Sequence, residues 1–143
     1  MRILLDADGC PMVDIAVAAA RRHHMEILIL CDTSHVFEKE GAKTLTVSKG
    51  ADSVDFVLVN LLRKHDLVVT QDYGLAAMCL SRGAIVISQD GMEYNAENID
   101  GLLLARHMAK KIRNAGGRLK GAAKRTREQD AAFERKLTEL LET

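Results

Sequence analysis

Several apolar runs in this chain of 143 residues lead straight into carboxylates. The run Ile3-Leu4-Leu5 meets Asp6, with Asp8 two positions further on. Residues 67–70 (LVVT) precede Asp72, and residues 84–88 (AIVIS) precede Asp90. If these runs are neighbouring parallel strands, Asp6, Asp8, Asp72 and Asp90 converge on one edge of a sheet. Asp55 is expected to join them from a helix, because it lies at the border of that helix's apolar stripe. Asp52 lies further round and is expected to face water. Two carboxylates about 4 Å apart repel by roughly 4 kcal/mol at the effective dielectric near a protein surface. Such a group needs raised pKa values or a bound cation. Hard oxygens with no Cys or His at ligand spacing favour Mg²⁺ or Mn²⁺ over zinc. One or two such ions support attack of water on a phosphodiester.

Local explanations compete at most of these positions. Asp72 suits the N-cap of a following helix, and Asp8 suits the turn into Pro11. Asp90-Gly91 is a common turn pair, and Asp52 compensates a helix dipole. Asp6 has the weakest explanation of this kind. The five His are scattered with no partner at ligand spacing. Asp6 and Asp8 disfavour a thiolate at Cys10, although a helix N-terminus pulls the other way. Cys31 and Cys79 read as core residues.

The elements that must position the acids follow from periodicity. Strands are expected at 2–5, 26–31, 45–47, 67–70 and 84–88, each a short apolar run bounded by turn residues. Pro11 suits the first turn of a helix reaching about His24. Val54, Val57, Leu58, Leu61 and Leu62 follow the spacing of an amphipathic helix over 52–64. Phe56 and Val59 fall off that stripe and imply a second covered face. Further helices are expected at 75–80 and 96–114, the latter stopped by Gly116-Gly117. Thr126 and Gln129 form a capping box for a closing helix. Its stripe of Phe133, Leu137, Leu140 and Leu141 suits docking on the body or on a partner. Strands alternating with helices imply a mostly parallel sheet covered on both faces, with functional groups at the carboxyl ends of its strands.

Composition sets the outer limits. The length fits one domain, divided into an α/β body over 1–114, a basic Gly-containing linker over 115–126 and an amphipathic helix over 127–143. Hydrophobic residues are 48% and charged residues 28%, a balance that excludes a disordered chain. No apolar run approaches the roughly 18 residues of a membrane span. Acids come too early for a signal peptide, and three widely spaced Cys fit a reducing compartment. A cytoplasmic protein without membrane attachment is expected. Aromatics are 3% with no Trp, which argues against a base-stacking platform. The net charge of zero hides an asymmetry: residues 1–105 hold 9 Lys/Arg and 15 Asp/Glu, whereas 106–127 hold 9 Lys/Arg and no acid. This basic stretch, with Lys120, Lys124, Arg125 and Arg127, is expected to contact nucleic-acid phosphates. The plainer alternative is a solvated basic segment.

The motifs LLDADGCP, VSKGADSVDF, VVTQDYGLA and GMEYNAENI, with the closing KGAAKRTREQDAAF, together resemble the YaiI/YqxD family of bacterial PIN-like domains. The resemblance runs over nearly the whole chain. It implies a three-layer α/β/α fold with a central mostly parallel sheet and a C-terminal helical extension, carrying a metal-dependent nuclease site of the kind used on RNA. By motif, Asp6 would be the first acid, Asp72 a later one, Asp55 the helix acid with Asp52 as its alternative, and Asp90 the last. Thr70 would orient Asp72 through its hydroxyl. Two departures stand out: PIN domains usually place a Glu where Asp55 stands, and Gly9 replaces an Ala of the family's opening motif.

Three functions compete. The first is a Mg²⁺- or Mn²⁺-dependent ribonuclease-like enzyme that holds RNA through the 106–127 segment. The second is a phosphatase of the haloacid dehalogenase type, because DADG resembles that family's nucleophile loop. There Asp6 would attack phosphate, Asp8 would protonate the leaving group and Lys49 would assist, but the later acidic pair of that family is missing. The third is a non-catalytic module that binds nucleic acid or protein. Phe56, Val59 and the closing helix leave a homodimer open.

Overall fold

The structure, a computed structural model, describes residues 1–32, 38–48, 53–117 and 124–143. Six strands form one sheet: β1 (Arg2–Asp6), β2 (Glu26–Asp32), β3 (Lys43–Val47), β4 (Leu67–Val69), β5 (Ile85–Ile87) and β6 (Glu93–Tyr94). Five helices accompany them: α1 (Val13–Arg22), α2 (Ser53–Leu61), α3 (Tyr73–Ser81), α4 (Ile99–Asn114) and α5 (Arg127–Leu141). The strand order is β3-β2-β1-β4-β5-β6, parallel except for β6.

Parallel strands bury both faces, which is why ILL, ILILC, LVV and IVI read as unbroken apolar runs. Their side chains alternate between two cores. Ile3, Leu5, Ile27, Ile29, Cys31, Val69 and Ile87 share one core with α1 and α5. Leu4, Leu28, Leu30, Val68 and Val86 share the other with α2, α3 and the first turn of α4. The result is the expected three-layer α/β/α architecture. Asp66, nearly fully buried, closes the foot of the sheet by accepting from the guanidinium of Arg2 at 2.8 Å and the N–H of Arg63 at 2.9 Å.

Element bounds differ modestly from expectation. Helix α1 begins at Val13, after Pro11 rather than on it, and α2 ends at Leu61. The strand β6 is new: two residues cannot display a periodicity. It exists because the turn after β5 reverses the chain and pairs Val86 with Tyr94.

The closing helix docks on the body. Phe133, Leu137 and Leu141 are buried against α1, and the capping box of Thr126 and Gln129 is formed. Gly91 makes this docking possible. It has a φ of +82°, and a Cβ there would lie 2.6 Å from the Ala132 carbonyl oxygen of α5. Gly91→Ala combines left-handed backbone strain with overpacking, so it is expected to destabilise the protein by about 2–4 kcal/mol in urea unfolding. A loss below about 0.5 kcal/mol would mean that α5 does not press on this turn.

Among the described residues, no helix is long and apolar enough to cross a membrane. The three cysteines form no disulfide, and Cys31 and Cys79 are core residues.

Candidate active site

The strand order runs outward from β1 in both directions, toward β2 and β3 on one side and toward β4 and β5 on the other. A crevice opens at such a switch point, at the carboxyl ends of the strands. Asp6 ends β1 at this place, and Thr70 follows β4 beside it. The buried Thr70 hydroxyl donates to Asp6 Oδ2 at 2.8 Å and accepts from the Asp72 backbone N–H at 3.0 Å. Its own N–H donates to the Ile87 carbonyl at 3.1 Å, and its carbonyl accepts from the Tyr94 hydroxyl at 3.2 Å. Thr70 is therefore held from four sides. Its hydroxyl orients the Asp6 carboxylate and, as expected, meets Asp72, through that residue's backbone N–H.

Asp72 serves two roles. Its Oδ1 caps α3 by accepting from the Leu75 N–H at 3.1 Å, and the same oxygen meets Arg106 Nη1 at 3.3 Å. Asp8 does not cap α1, whose N-cap is Met12 without a side-chain bond. Asp8 Oδ1 instead faces the Asp32 N–H at 3.5 Å. Together Asp6, Asp8, Asp32, Asp55 and Asp72 line one cleft of about 620 Å³, with Thr70, Gln71, Gln89, Cys10 and Arg106 also on its wall.

The electrostatics follow from this crowding. Burial pushes the Asp6 carboxyl up to about 6, and the charges of Asp8 and Asp72 push the same way against the Thr70 hydrogen bond. Cys10 is raised as well, by burial first and by Asp6, so it is a poor thiolate. Among the described residues, Gln89 Oε1 is a buried side-chain oxygen with no hydrogen-bond partner, and Gln89 is on the cleft wall.

Two expected site residues are placed elsewhere. Asp90 does not line the cleft. The turn after β5 is closed by the Ser88 hydroxyl, which accepts from the N–H groups of Asp90 and Met92 at 3.1 and 3.2 Å. That turn carries Asp90 toward α5, where Arg125 Nη1 meets it at 2.5 Å. Arg125 also binds Asp130 at 2.6 Å and the Gln89 carbonyl, so its guanidinium is engaged inside the molecule. Lys124 and Arg127 are exposed. Asp52, Lys120 and Lys49 lie outside the described residues. Sequence reasoning passed over Asp32, although it directly follows the run ILILC and obeys the same strand-end pattern as Asp6. It also treated Arg106 only as the start of a basic stretch.

The fit to a divalent cation is that of an open site. The donors are hard carboxylate oxygens, and among the described residues Arg106 brings a guanidinium to the same wall. Among the described residues, no three Asp, Glu, His or Cys form a ready ligand cage. Mg²⁺ is usually held by one or two carboxylates, completing its shell with waters and substrate phosphates. Asp6, Asp8 and Asp72 line the cleft and could serve in that way, whereas Asp90, outside it, could not join them.

The profile of a family described as "Uncharacterized BCR, YaiI/YqxD family" matches residues 4–143. A UPF0178 protein of Exiguobacterium sibiricum is 50% identical over 141 residues, covering 99% of this chain and 96% of its own length. A UPF0178 protein of Ruminiclostridium cellulolyticum is 47% identical over 137 residues, covering 96% and 90%. Among solved structures, the crystal structure of Rae1 (YacP) from Bacillus subtilis is similar at 14% identity and a TM-score of 0.46, covering 81% of this chain and 84% of that one.

Proposed function

The chain belongs to the YaiI/YqxD family, and from that premise we propose that it is a Mg²⁺- or Mn²⁺-dependent nuclease that hydrolyses RNA phosphodiesters in the cytoplasm. The observation that carries this reading is the meeting of Asp6, Asp8, Asp32, Asp55 and Asp72 around one cleft at the switch point of the sheet. Burial and the neighbouring Asp8 and Asp72 charges raise the Asp6 carboxyl to about 6, a strain that a bound cation would relieve. Asp6 and Asp72 would hold it, with Asp8 beside them. When bound, such a cation supplies phosphate charge neutralisation and acidification of water.

The chain's own groups prepare that chemistry. The Thr70 hydroxyl fixes the rotation of the Asp6 carboxylate. The helix cap fixes Asp72. Arg106 stands at the cleft wall and can donate to a phosphate oxygen. The exposed Lys124 and Arg127 add positive charge for the RNA backbone.

The test is cleavage of a labelled single-stranded RNA in Mn²⁺ or in EDTA by the wild type, Asp6→Asn and Asp72→Asn. Asn caps helices as well as Asp does, so Asp72→Asn keeps α3 intact. Each variant is expected to lose more than about 100-fold in rate, since even outer-shell changes cost 10–100-fold. Absent Mn²⁺-dependent cleavage, or equal cleavage by the variants, would refute the nuclease. RNA retained by the Asp6→Asn, Asp72→Asn double variant, with no turnover by the wild type, would favour a binding module. An acyl-phosphate analogue trapped on Asp6 by beryllium fluoride would favour the phosphatase.

Proton competition supplies a second test. Asp6 holds its proton below about pH 6, and a cation must displace it. Calorimetric Mn²⁺ affinity is therefore expected to fall about tenfold per pH unit below pH 6 and to level off above 7. Affinity constant from pH 5 to 8 would remove Asp6 from the ligand set.

A further inference from the structure

We propose that the groove between α2 and α3 is a nucleobase subsite, taking one unpaired base of the substrate strand stacked on Phe56; this rests on the nuclease reading. The groove, of about 650 Å³, opens beside the acidic cleft. Asp55, Asp72 and Arg106 line both, so a strand whose phosphate lies in the cleft has its neighbouring nucleotide at the groove. Phe56 is 72% exposed, although it is a large apolar ring on a helix that buries its other face. Met78, also exposed, lies on the α3 side of the same groove.

The placement of the guanidinium groups favours a nucleic-acid strand. Arg82 and Arg106 line the groove beside the carboxylates of Asp55 and Asp72, and a strand offers a phosphate on each side of every base to those two Arg. Arg106 is tied to Asp72 by a single contact at 3.3 Å between solvent-exposed groups, so it can turn to a phosphate at little cost. The junction is kept clear by Gly74: a Cβ there would stand 3.3 Å from Asp72 Oδ1 and 4.0 Å from Arg106 Nη1. The low aromatic content excludes a platform for several bases, whereas one ring serves one base. Stacking on a side chain requires a base free of its own duplex, so the substrate class is single-stranded.

The chain has no Trp, so Phe56→Trp places a sole tryptophan in the groove, excited selectively over Tyr73 and Tyr94. Its emission is expected to be quenched by a single-stranded RNA octamer and left unchanged by the same octamer in a duplex. Phe56→Ala is expected to raise the KM for the octamer roughly 5- to 150-fold, with kcat nearly unchanged, as the loss of one stacked base implies. Phe56→Tyr should restore the wild-type KM. A wild-type KM in Phe56→Ala, together with tryptophan emission indifferent to the octamer, would overturn the subsite. So would emission that shifts with protein concentration alone alongside a dimer in sedimentation, because a second copy would then cover Phe56. The two readings fail separately: quenching by single strands without Mn²⁺-dependent cleavage keeps the subsite and removes the nuclease. Cleavage with an indifferent Phe56 does the reverse.

Discussion

Asp6→Asn is expected to yield a protein that is at once inactive and more stable. Asp6 titrates near 6 in the fold, against 3.8 for an ordinary Asp, chiefly because it is buried and also because Asp8 and Asp72 are near. The folded-state value lies above the unfolded one, so folding favours the protonated form. That contribution is full below about pH 4 and is lost as the pH rises through about 6. By pH 8 without metal, the wild type has given up about 3 kcal/mol that a neutral side chain keeps. Asn is neutral, close in shape, and still accepts from the Thr70 hydroxyl. The variant should melt on the order of 5–10 °C above the wild type at pH 8 in EDTA and level with it at pH 4. A variant that melts lower at both pH values would show that Asp6 is no strained carboxylate, and the case for a cation in this cleft would fall with it.

Phe133→Ala is expected to cost about 3–5 kcal/mol, the range for truncating a fully buried aromatic ring. A domain of this size has roughly 5–15 kcal/mol in total, so about a fifth or more of its stability is at stake. Phe133 lies in the same core as Ile3, Leu5 and the inner face of α1, which makes α5 part of the body. Urea unfolding should show one transition shifted to lower denaturant with its slope unchanged. The cleft contains no residue of α5, so activity per folded molecule should survive at low temperature. A shift below about 1 kcal/mol, or a separate early transition, would make α5 an appendage.

The layers were legible because buried parallel strands need uninterrupted apolar runs, and those runs are short and well separated. The closing helix was legible because its cap and its stripe are both local patterns. Asp6 and Asp72 are legible from their place at strand ends, a rule that covers Asp32 at the end of β2 as well. The same rule overreached at Asp90, where a tight turn reverses the chain within a few residues and aims the carboxylate at Arg125. Thr70 carried no local signal for its bond to Asp6, because that contact spans 64 positions and depends on β1 and β4 being neighbours.

The order of residues alone determined which segments are the parallel strands and the helices, which faces they bury and which acids stand at strand ends, since these follow from near-neighbour periodicity and backbone preference; β6, a two-residue pairing, did not. Only the tertiary structure decided which of those acids share a cleft. Strand order, the hand of each crossover and the direction of each turn are set by packing between distant segments, and a carboxylate's neighbours are chosen there.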